Sequence, residues 1–271
     1  MNVPREGDRR TTTEPPAVSR REAVGHMLLV AVAFAAPGCL NQMPSTSATH
    51  ADEGRIAARP HEPAETIAPG RYPLKLGKAR DGLLYIPKNY QPTVAAPLAM
   101  LLHGAGQSSN ELLDRMITMA DETGMVLASP DSREASWDIR YGAFGPDIVF
   151  INDMLELVFK RTRIDAKRVS VCGFSDGASY ALSIGLLNGD LFQKIVAMSP
   201  GYIAGNKPVG KPSIFVAHGT RDQVLAIDRT SRVIVPRLRA AGYEVDYREF
   251  DGPHAIQLPL LRDATTWMAA P

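Results

Sequence analysis

A serine lies in a glycine-flanked turn in the middle of the chain. Residues 173–177 read Gly-Phe-Ser-Asp-Gly, after an apolar strand pattern that ends at Cys172 and before a helical pattern over 176–187. Small neighbours let the strand and the helix approach closely, so the turn exposes the Ser175 hydroxyl in strained backbone geometry. The free N–H groups of the helix N-terminus point at the same place. Ser175 is therefore a candidate nucleophile for attack on a carbonyl carbon.

A serine hydroxyl needs a general base, and the base needs an acid that orients it. After residue 71 the sequence has three histidines. His103 and His218 end strand patterns and precede glycines, which indicates tight turns and structural imidazoles. His254 instead lies in a loop between the last strand and the last helix, where an imidazole is presented freely. Asp222 follows the penultimate strand, and the chain order Ser175, Asp222, His254 is that of a hydrolytic triad.

Other interpretations of the acid stay open. Asp222 taken alone could cap a helix or pair with Arg221. Asp228 and Asp251 are rival acids, but the first is placed to cap the following helix and the second is three residues from His254. The joint occurrence of three suitable residues in suitable loops favours Asp222.

The loop after the apolar strand pattern 97–102 reads His-Gly-Ala-Gly. Backbone N–H groups in a small-residue loop at this place can face a developing oxyanion. Ala105 is the expected donor from this loop, and Asp176, the residue after the serine, is the second. Loss of one such donor typically costs about 3 kcal/mol of transition-state stabilisation.

The same loop half matches a dinucleotide-binding fingerprint, G-x-G-x-x-G, over residues 104–109. Ser109 stands where the third glycine belongs, and Asp131 is late for the acidic residue about twenty positions further on. A nicotinamide-dependent enzyme is therefore a weaker alternative. This interpretation also leaves the serine turn and His254 without a role.

Strand and helix patterns alternate from residue 71 onward, which predicts an α/β fold with a mostly parallel sheet of about eight strands flanked by helices. The segment 200–212 is rich in Pro and Gly, so no large lid is expected there. The predicted strands are 72–76, 82–87, 97–102, 125–129, 168–172, 195–198, 214–218 and 243–250, and the predicted helices are 110–122, 147–161, 176–187, 228–241 and 255–268.

The loop 131–146 carries three aromatic residues that could form one wall of a substrate pocket. Trp137 and Tyr141, together with Gly104, are the candidate substrate contacts. Aromatic residues that only pack the loop onto the domain explain the pattern equally well.

The first seventy residues differ from the rest of the chain. Ser19-Arg20-Arg21, the apolar run 27–36 and Cys39 resemble a bacterial twin-arginine export signal joined to a lipoprotein cleavage site. We expect an export signal over residues 1–39, a disordered linker over 40–70 and a catalytic domain over 71–271. We expect an exported protein in either case. If Cys39 is lipidated, the protein is a lipoprotein anchored to a membrane of the cell envelope; if Cys39 is not lipidated, the protein is secreted.

Composition narrows the classes of function. The charges nearly cancel, with 30 Lys and Arg against 29 Asp and Glu, which argues against nucleic-acid binding. Two cysteines exclude a disulfide framework and a cysteine-based zinc cluster. Neither a metal nor a cofactor is expected.

Four segments together resemble the α/β-hydrolase superfamily, in particular phospholipase/carboxylesterase and polyhydroxyalkanoate-depolymerase-like serine esterases. They are LLHGAGQS, RVSVCGFSDGASYAL, HGTRDQVL and FDGPH, within residues 82–270. The resemblance implies Ser175 as nucleophile, Asp222 as acid and His254 as base, an acyl-enzyme intermediate and a small-molecule or lipid-like ester substrate. Unlike secreted depolymerases, the chain has no obvious polymer-binding domain and no disulfide cysteines.

Alternatives within and outside this class remain. A polyester depolymerase-like, dienelactone-hydrolase-like or peptidase activity is compatible with the same triad, because fold and triad do not define the leaving group. A non-catalytic envelope lipoprotein that uses the fold as a binding module is the alternative from another class.

Overall fold

The computed structural model describes residues 51–77 and 79–271. The predicted export signal, including Cys39, and residues 40–50 of the predicted linker lie outside the described residues. The strands are β1 Gly70–Pro73, β2 Gly82–Ile86, β3 Ala96–Leu102, β4 Val126–Pro130, β5 Ile164–Phe174, β6 Lys194–Met198, β7 Ser213–Gly219 and β8 Val245–Phe250. The α-helices are α1 Asn110–Thr123, α2 Pro146–Arg161, α3 Asp176–Leu187, α4 Ser231–Ala240 and α5 Leu258–Ala269.

The eight strands form one sheet in the order β1-β2-β4-β3-β5-β6-β7-β8. The two strands at one edge are antiparallel, and β3 to β8 are parallel to one another. Their carboxyl ends therefore meet at one edge of the sheet, where loops carry function in such folds. The prediction of a mostly parallel sheet of about eight strands is confirmed.

Helices cover both faces of the sheet. Helices α1 and α5 share one apolar cluster with the sheet, through residues such as Leu113, Met116 and Leu261. Helices α2, α3 and α4 contribute to the cluster on the other face, which includes Leu155 and Ile184. Strand β3 is buried along its whole length, as expected of a strand between two helical layers. Burial of these apolar faces holds the strand ends, and hence their loops, in place.

The bounds of several segments differ from the predictions. β5 begins at Ile164, four residues before the predicted start. The predicted helix 228–241 is a 3₁₀ turn, Ile227–Arg229, followed by α4 from Ser231. Asp228 does not cap α4, since its carboxylate pairs with Arg232 at 2.7 Å. The segment 200–212, where a lid was not expected, is described by the structure and contains no helix or strand.

The prediction of a disordered linker up to residue 70 is wrong for residues 51–70. Ile56 and Ala58 are buried in the main core. The Asn188 side chain accepts the Ile56 N–H at 2.8 Å and donates to the Gly54 carbonyl at 2.8 Å. Asn152 Oδ1 accepts the Ala58 N–H at 2.9 Å. A segment poor in apolar residues is thus ordered because buried amides of α2 and of the end of α3 satisfy its backbone.

Replacement of Asn188 by alanine is expected to destabilise the domain. The substitution removes the partners of the Ile56 N–H and the Gly54 carbonyl, and each unsatisfied buried group costs about 1–3 kcal/mol. The measurement is the free energy of unfolding in urea, with the exposed Asn206→Ala as matched control. An Asn188→Ala variant as stable as the control would contradict the packing of residues 54–56.

Candidate active site

Ser175 lies at the junction of β5 and α3 with φ 57° and ψ −121°. Positive φ is costly for a residue with a side chain and is retained where the surroundings enforce it. The Ser175 N–H donates to the Met198 carbonyl at 2.9 Å. A Cβ added to Gly173 would lie 2.1 Å from the Gly177 carbonyl oxygen, and one on Gly177 would lie 2.1 Å from that of Leu102. Both glycines are therefore required by the close approach of backbone to backbone.

The structure brings Ser175, His254 and Asp222 into one hydrogen-bonded chain. His254 Nε2 lies 2.9 Å from Ser175 Oγ, and His254 Nδ1 lies 2.6 Å from Asp222 Oδ2. The carboxylate can only accept, so Nδ1 carries the proton and Nε2 is free to accept from the serine hydroxyl. Asp222 Oδ1 accepts the N–H groups of Val224 and Leu225 at 2.9 Å and 2.7 Å.

The Asp222 side chain is fully buried, whereas 14% of the His254 side chain is exposed. Burial by itself raises the pKa of Asp222, but hydrogen bonds from His254 and from the backbone N–H groups outweigh it and hold the pKa below its usual value. The acid is thus ionised over the pH range in which an imidazole can act as base.

The rival acids have other partners. Asp251 forms a surface ion pair with Arg221. Arg221 is therefore not the partner of Asp222, contrary to one open interpretation. Asp228 is exposed and pairs with Arg232. Neither rival lies on His254, and Asp222 alone of the three carboxylates is hydrogen-bonded to the imidazole.

The loop after β3 lies beside the serine. A Cβ added to Gly104 would lie 3.4 Å from Ser175 Cβ. The N–H groups of Gly104, Gly106 and Gln107 are bonded to Gln107 Oε1, the Ala135 carbonyl and the Gly104 carbonyl, at 3.0, 2.7 and 3.2 Å. Among these neighbouring residues of the described loop, the N–H of Ala105 has no hydrogen-bond partner. The assignment of Ala105 and Asp176 as oxyanion donors stays a prediction.

His103 holds this loop against the next one. Its Nδ1 donates to the Gly104 carbonyl at 2.7 Å, and its Nε2 accepts the Ser132 N–H at 3.0 Å. Burial lowers the pKa of His103, so the ring is neutral with both nitrogens engaged. The His103 carbonyl accepts from Trp137 Nε1 at 2.9 Å. The prediction of a structural imidazole is confirmed.

The prediction of Trp137 as a substrate contact is wrong. Its side chain is completely buried and stacks on Tyr180, with ring centroids 5.0 Å apart. The indole packs the loop onto the domain, which was the other interpretation of the aromatic pattern. Tyr141 is 61% exposed and remains available as a contact.

Three residues around the site, Gln107, Ser136 and Arg140, were not predicted from the sequence. The Gln107 side chain orders the loop after β3 by accepting the Gly104 N–H. The Asp176 carboxylate, rather than only its N–H, binds Arg140 at 3.0 Å and Ser136 at 2.8 Å. These contacts tie the turn at Ser175 to the loop 131–146. Acidic and basic residues in that loop were the available signal, but their partners are distant in sequence.

A cavity of about 310 Å³ opens beside His254, a volume suited to a small ligand. A larger cavity, of about 670 Å³, lies by residues 205–209 and contacts no triad residue. The cavity beside the imidazole is therefore the candidate substrate pocket. It is lined by Gln107, Glu111, Leu112, Arg115, Phe174, His254, Ala255 and Ile256.

Two other features concern the described residues only. In 51–77 and 79–271 no group of three or more His, Cys, Asp or Glu side chains is arranged to hold a metal ion. In the same ranges, every helix falls short of the length and apolar character that a membrane span requires.

Cys172 is fully buried in β5, and burial raises the pKa of its thiol to about 12. This confirms its interpretation as a small core residue.

Residues 75–237 match the model of the Esterase family, described as "Putative esterase". The chain belongs to this esterase family. The matched range contains Ser175 and Asp222 and ends before His254.

Curated relatives of this esterase-family chain are esterases by name. The chain is 30% identical over 165 residues to the bifunctional acetylxylan esterase/xylanase XynS20E of Neocallimastix patriciarum. The match covers 57% of this chain and 23% of that protein. It is 24% identical over 168 residues to feruloyl esterase D of Neurospora crassa, covering 56% of each. The chain thus spans from about a quarter to little more than half of these relatives.

Solved structures share the fold. Esterase PE8 superposes with a TM-score of 0.58 at 20% identity, covering 70% of this chain and 97% of that chain. The Bacillus cereus carboxylesterase superposes with a TM-score of 0.56 at 19% identity, covering 71% and 94%. The esterase-family chain therefore has the α/β-hydrolase fold.

Proposed function

We propose that the protein is a serine hydrolase that cleaves carboxylic esters through an acyl-enzyme intermediate. The observation that carries the proposal is the hydrogen-bonded chain from Ser175 through His254 to Asp222, beside the loop after β3 at the carboxyl edge of the sheet. Membership of the esterase family supports the same reaction class.

In this mechanism Ser175 Oγ attacks the ester carbonyl while His254 Nε2 takes the hydroxyl proton. The N–H groups of Ala105 and Asp176 stabilise the oxyanion of the tetrahedral intermediate. His254 then donates its proton to the leaving alcohol, which leaves Ser175 acylated. A water molecule, activated by the same imidazole, attacks the acyl group and releases the acid.

The proposed substrate is a small-molecule or lipid-like ester. The cavity beside His254 is small, and Leu112, Phe174 and Ile256 form its apolar wall while Glu111 and Arg115 lie at its polar side. The names acetylxylan esterase and feruloyl esterase among the relatives support the ester class. Polyester, lactone or peptide substrates are the alternatives that a substrate panel separates.

The purified protein is expected to hydrolyse p-nitrophenyl esters of short acyl chains. Activity should fall toward acid pH because the mechanism needs an imidazole whose Nε2 is free to accept the serine proton, while Asp222, with its depressed pKa, remains ionised. The measurement is kcat/KM against pH and acyl length. Protein that binds esters or acids but turns over no member of the panel would favour the non-catalytic binding module.

We also propose that the protein is exported, on the basis of Arg20-Arg21 and the apolar run before Cys39. Expression in a bacterial host, followed by fractionation and mass spectrometry, tests this. We expect an envelope or extracellular form that lacks residues 1–38, and a Cys39→Ala variant that loses any lipid anchor. Full-length protein in the cytosol with residues 1–38 intact would contradict export.

A further inference from the structure

A second imidazole lies against the acid of the triad. His218 ends β7, and its side chain is completely buried. Its Nε2 is 3.1 Å from Asp222 Oδ2, the same oxygen that accepts from His254 at 2.6 Å. His218 was predicted from the sequence to be a structural imidazole. In the structure it contacts the carboxylate of the proposed triad directly.

The partners of His218 define its tautomer. Nε2 lies 2.8 Å from the Leu225 carbonyl, which can only accept, so Nε2 carries the proton. Nδ1 lies 2.7 Å from Ser231 Oγ and accepts from that hydroxyl. The N–H bond points at Leu225, and its positive end lies beside the Asp222 carboxylate.

We propose that His218 is a positioning residue for Asp222. Its N–H holds the Leu225 carbonyl, and thereby the turn whose N–H groups bind Asp222 Oδ1. The same N–H dipole stabilises the charge on Oδ2. Both carboxylate oxygens are thus held in place for His254. The inference rests on the proposed function, since it assigns a role within that triad.

Burial keeps His218 neutral although charged groups lie around it. Asp222 and His254 face it from the loops after β7 and β8, and Glu249 is its partner in the β7–β8 register. Glu249 is itself paired with Arg232 of α4 at 2.6 Å. Burial, the largest influence, lowers the pKa of His218 below its ordinary value. The ring therefore acts as a fixed donor rather than as a second base.

Two polar substitutions separate the donor from the packing of the ring. The amide of His218→Gln reaches the place of Nε2 and can keep the donor, whereas that of His218→Asn replaces only Nδ1. We expect His218→Gln to retain most of the wild-type kcat. His218→Asn should lower kcat by up to about tenfold, the range for the net loss of one neutral hydrogen bond, with little change in KM.

The pH profile of kcat/KM supplies the readout that a merely structural role would not move. In His218→Asn the Asp222 carboxylate loses the neighbouring dipole, so its charge acts more strongly on the imidazole that it contacts. The acid limb should therefore move to higher pH in His218→Asn and stay in place in His218→Gln. Equal losses in both variants with an unmoved acid limb would overturn the proposal.

The wild-type protein provides a second test that does not depend on the folding of variants. Long-range ¹H–¹⁵N spectra of the imidazole groups should show one histidine that stays in the neutral Nε2–H tautomer over the pH range in which activity falls. The signal is assigned to His218 because it disappears in both the Gln and the Asn variant. A titrating or Nδ1–H His218 would refute the inference. A wild type without esterase activity would instead refute the proposed function and leave the tautomer result unaffected.

Discussion

Ser175→Ala is expected to abolish ester hydrolysis, lowering kcat by about a millionfold, the loss typical when a triad nucleophile is removed. The loss follows because the substitution deletes the only atom that can carry the acyl group, Ser175 Oγ, while leaving the oxyanion donors in place. Alanine has the same backbone constraints as serine at φ 57°. The variant should therefore keep the fold and the thermal stability of the wild type.

The measurement is hydrolysis of a short-chain p-nitrophenyl ester together with labelling by a fluorophosphonate probe. Ser170→Ala is the matched control, since Ser170 lies in the same strand with a buried hydroxyl that has no hydrogen-bond partner. We expect full labelling and activity in the control and neither in Ser175→Ala. Equal labelling of Ser175→Ala and wild type would rule out Ser175 as nucleophile.

Asp222→Asn is expected to lower kcat by about ten-thousandfold, the effect of the equivalent change in other Ser-His-Asp triads. The hydrogen bonds around the side chain explain the size. Two backbone N–H groups bind Oδ1, so the asparagine oxygen must occupy that position. The amide NH₂ then faces His254 Nδ1, which must become an acceptor, and the proton moves to Nε2. In that tautomer His254 cannot accept the Ser175 proton.

Asp251→Asn is the control for this second prediction. Asp251 is the neighbouring acid in the His254 loop, is exposed and forms an ion pair with Arg221. Its loss should leave kcat and the pH profile unchanged, because an exposed ion pair contributes little. A large loss in Asp251→Asn with an active Asp222→Asn would transfer the role of acid to Asp251.

Local patterns predicted most of the sheet because burial on both faces requires apolar runs. Strand β3 was predicted to within one residue at its start, and it is buried throughout. The start of α3 was predicted at the correct residue, since Gly173 and Gly177 allow only one kind of junction there. The end of β5 lies at Phe174, two residues after the predicted end. The start of β5 at Ile164 was missed because the mostly polar residues 165–168 interrupt its apolar pattern and its pairing partner, Ala96, lies in another strand.

Side-chain partners were the less predictable part of the site. Asp228 was expected to cap α4 and instead binds Arg232. Trp137 was a candidate substrate contact and is instead buried against Tyr180. In both cases the residue type allows several roles, and the choice depends on which distant side chain the fold brings near.

The sequence by itself determined the strand–turn–helix at Ser175, the alternation that makes a parallel sheet, and the order of the three candidate triad residues, because backbone sterics and burial act over short stretches of chain. Only the tertiary structure decided that Asp222 rather than its rivals lies on His254. It also decided that His218 shares the same carboxylate oxygen and that residues 51–58 belong to the core. The reason is that these contacts join positions 132 apart, as for Ile56 and Asn188, or depend on how two loops meet at one edge of the sheet.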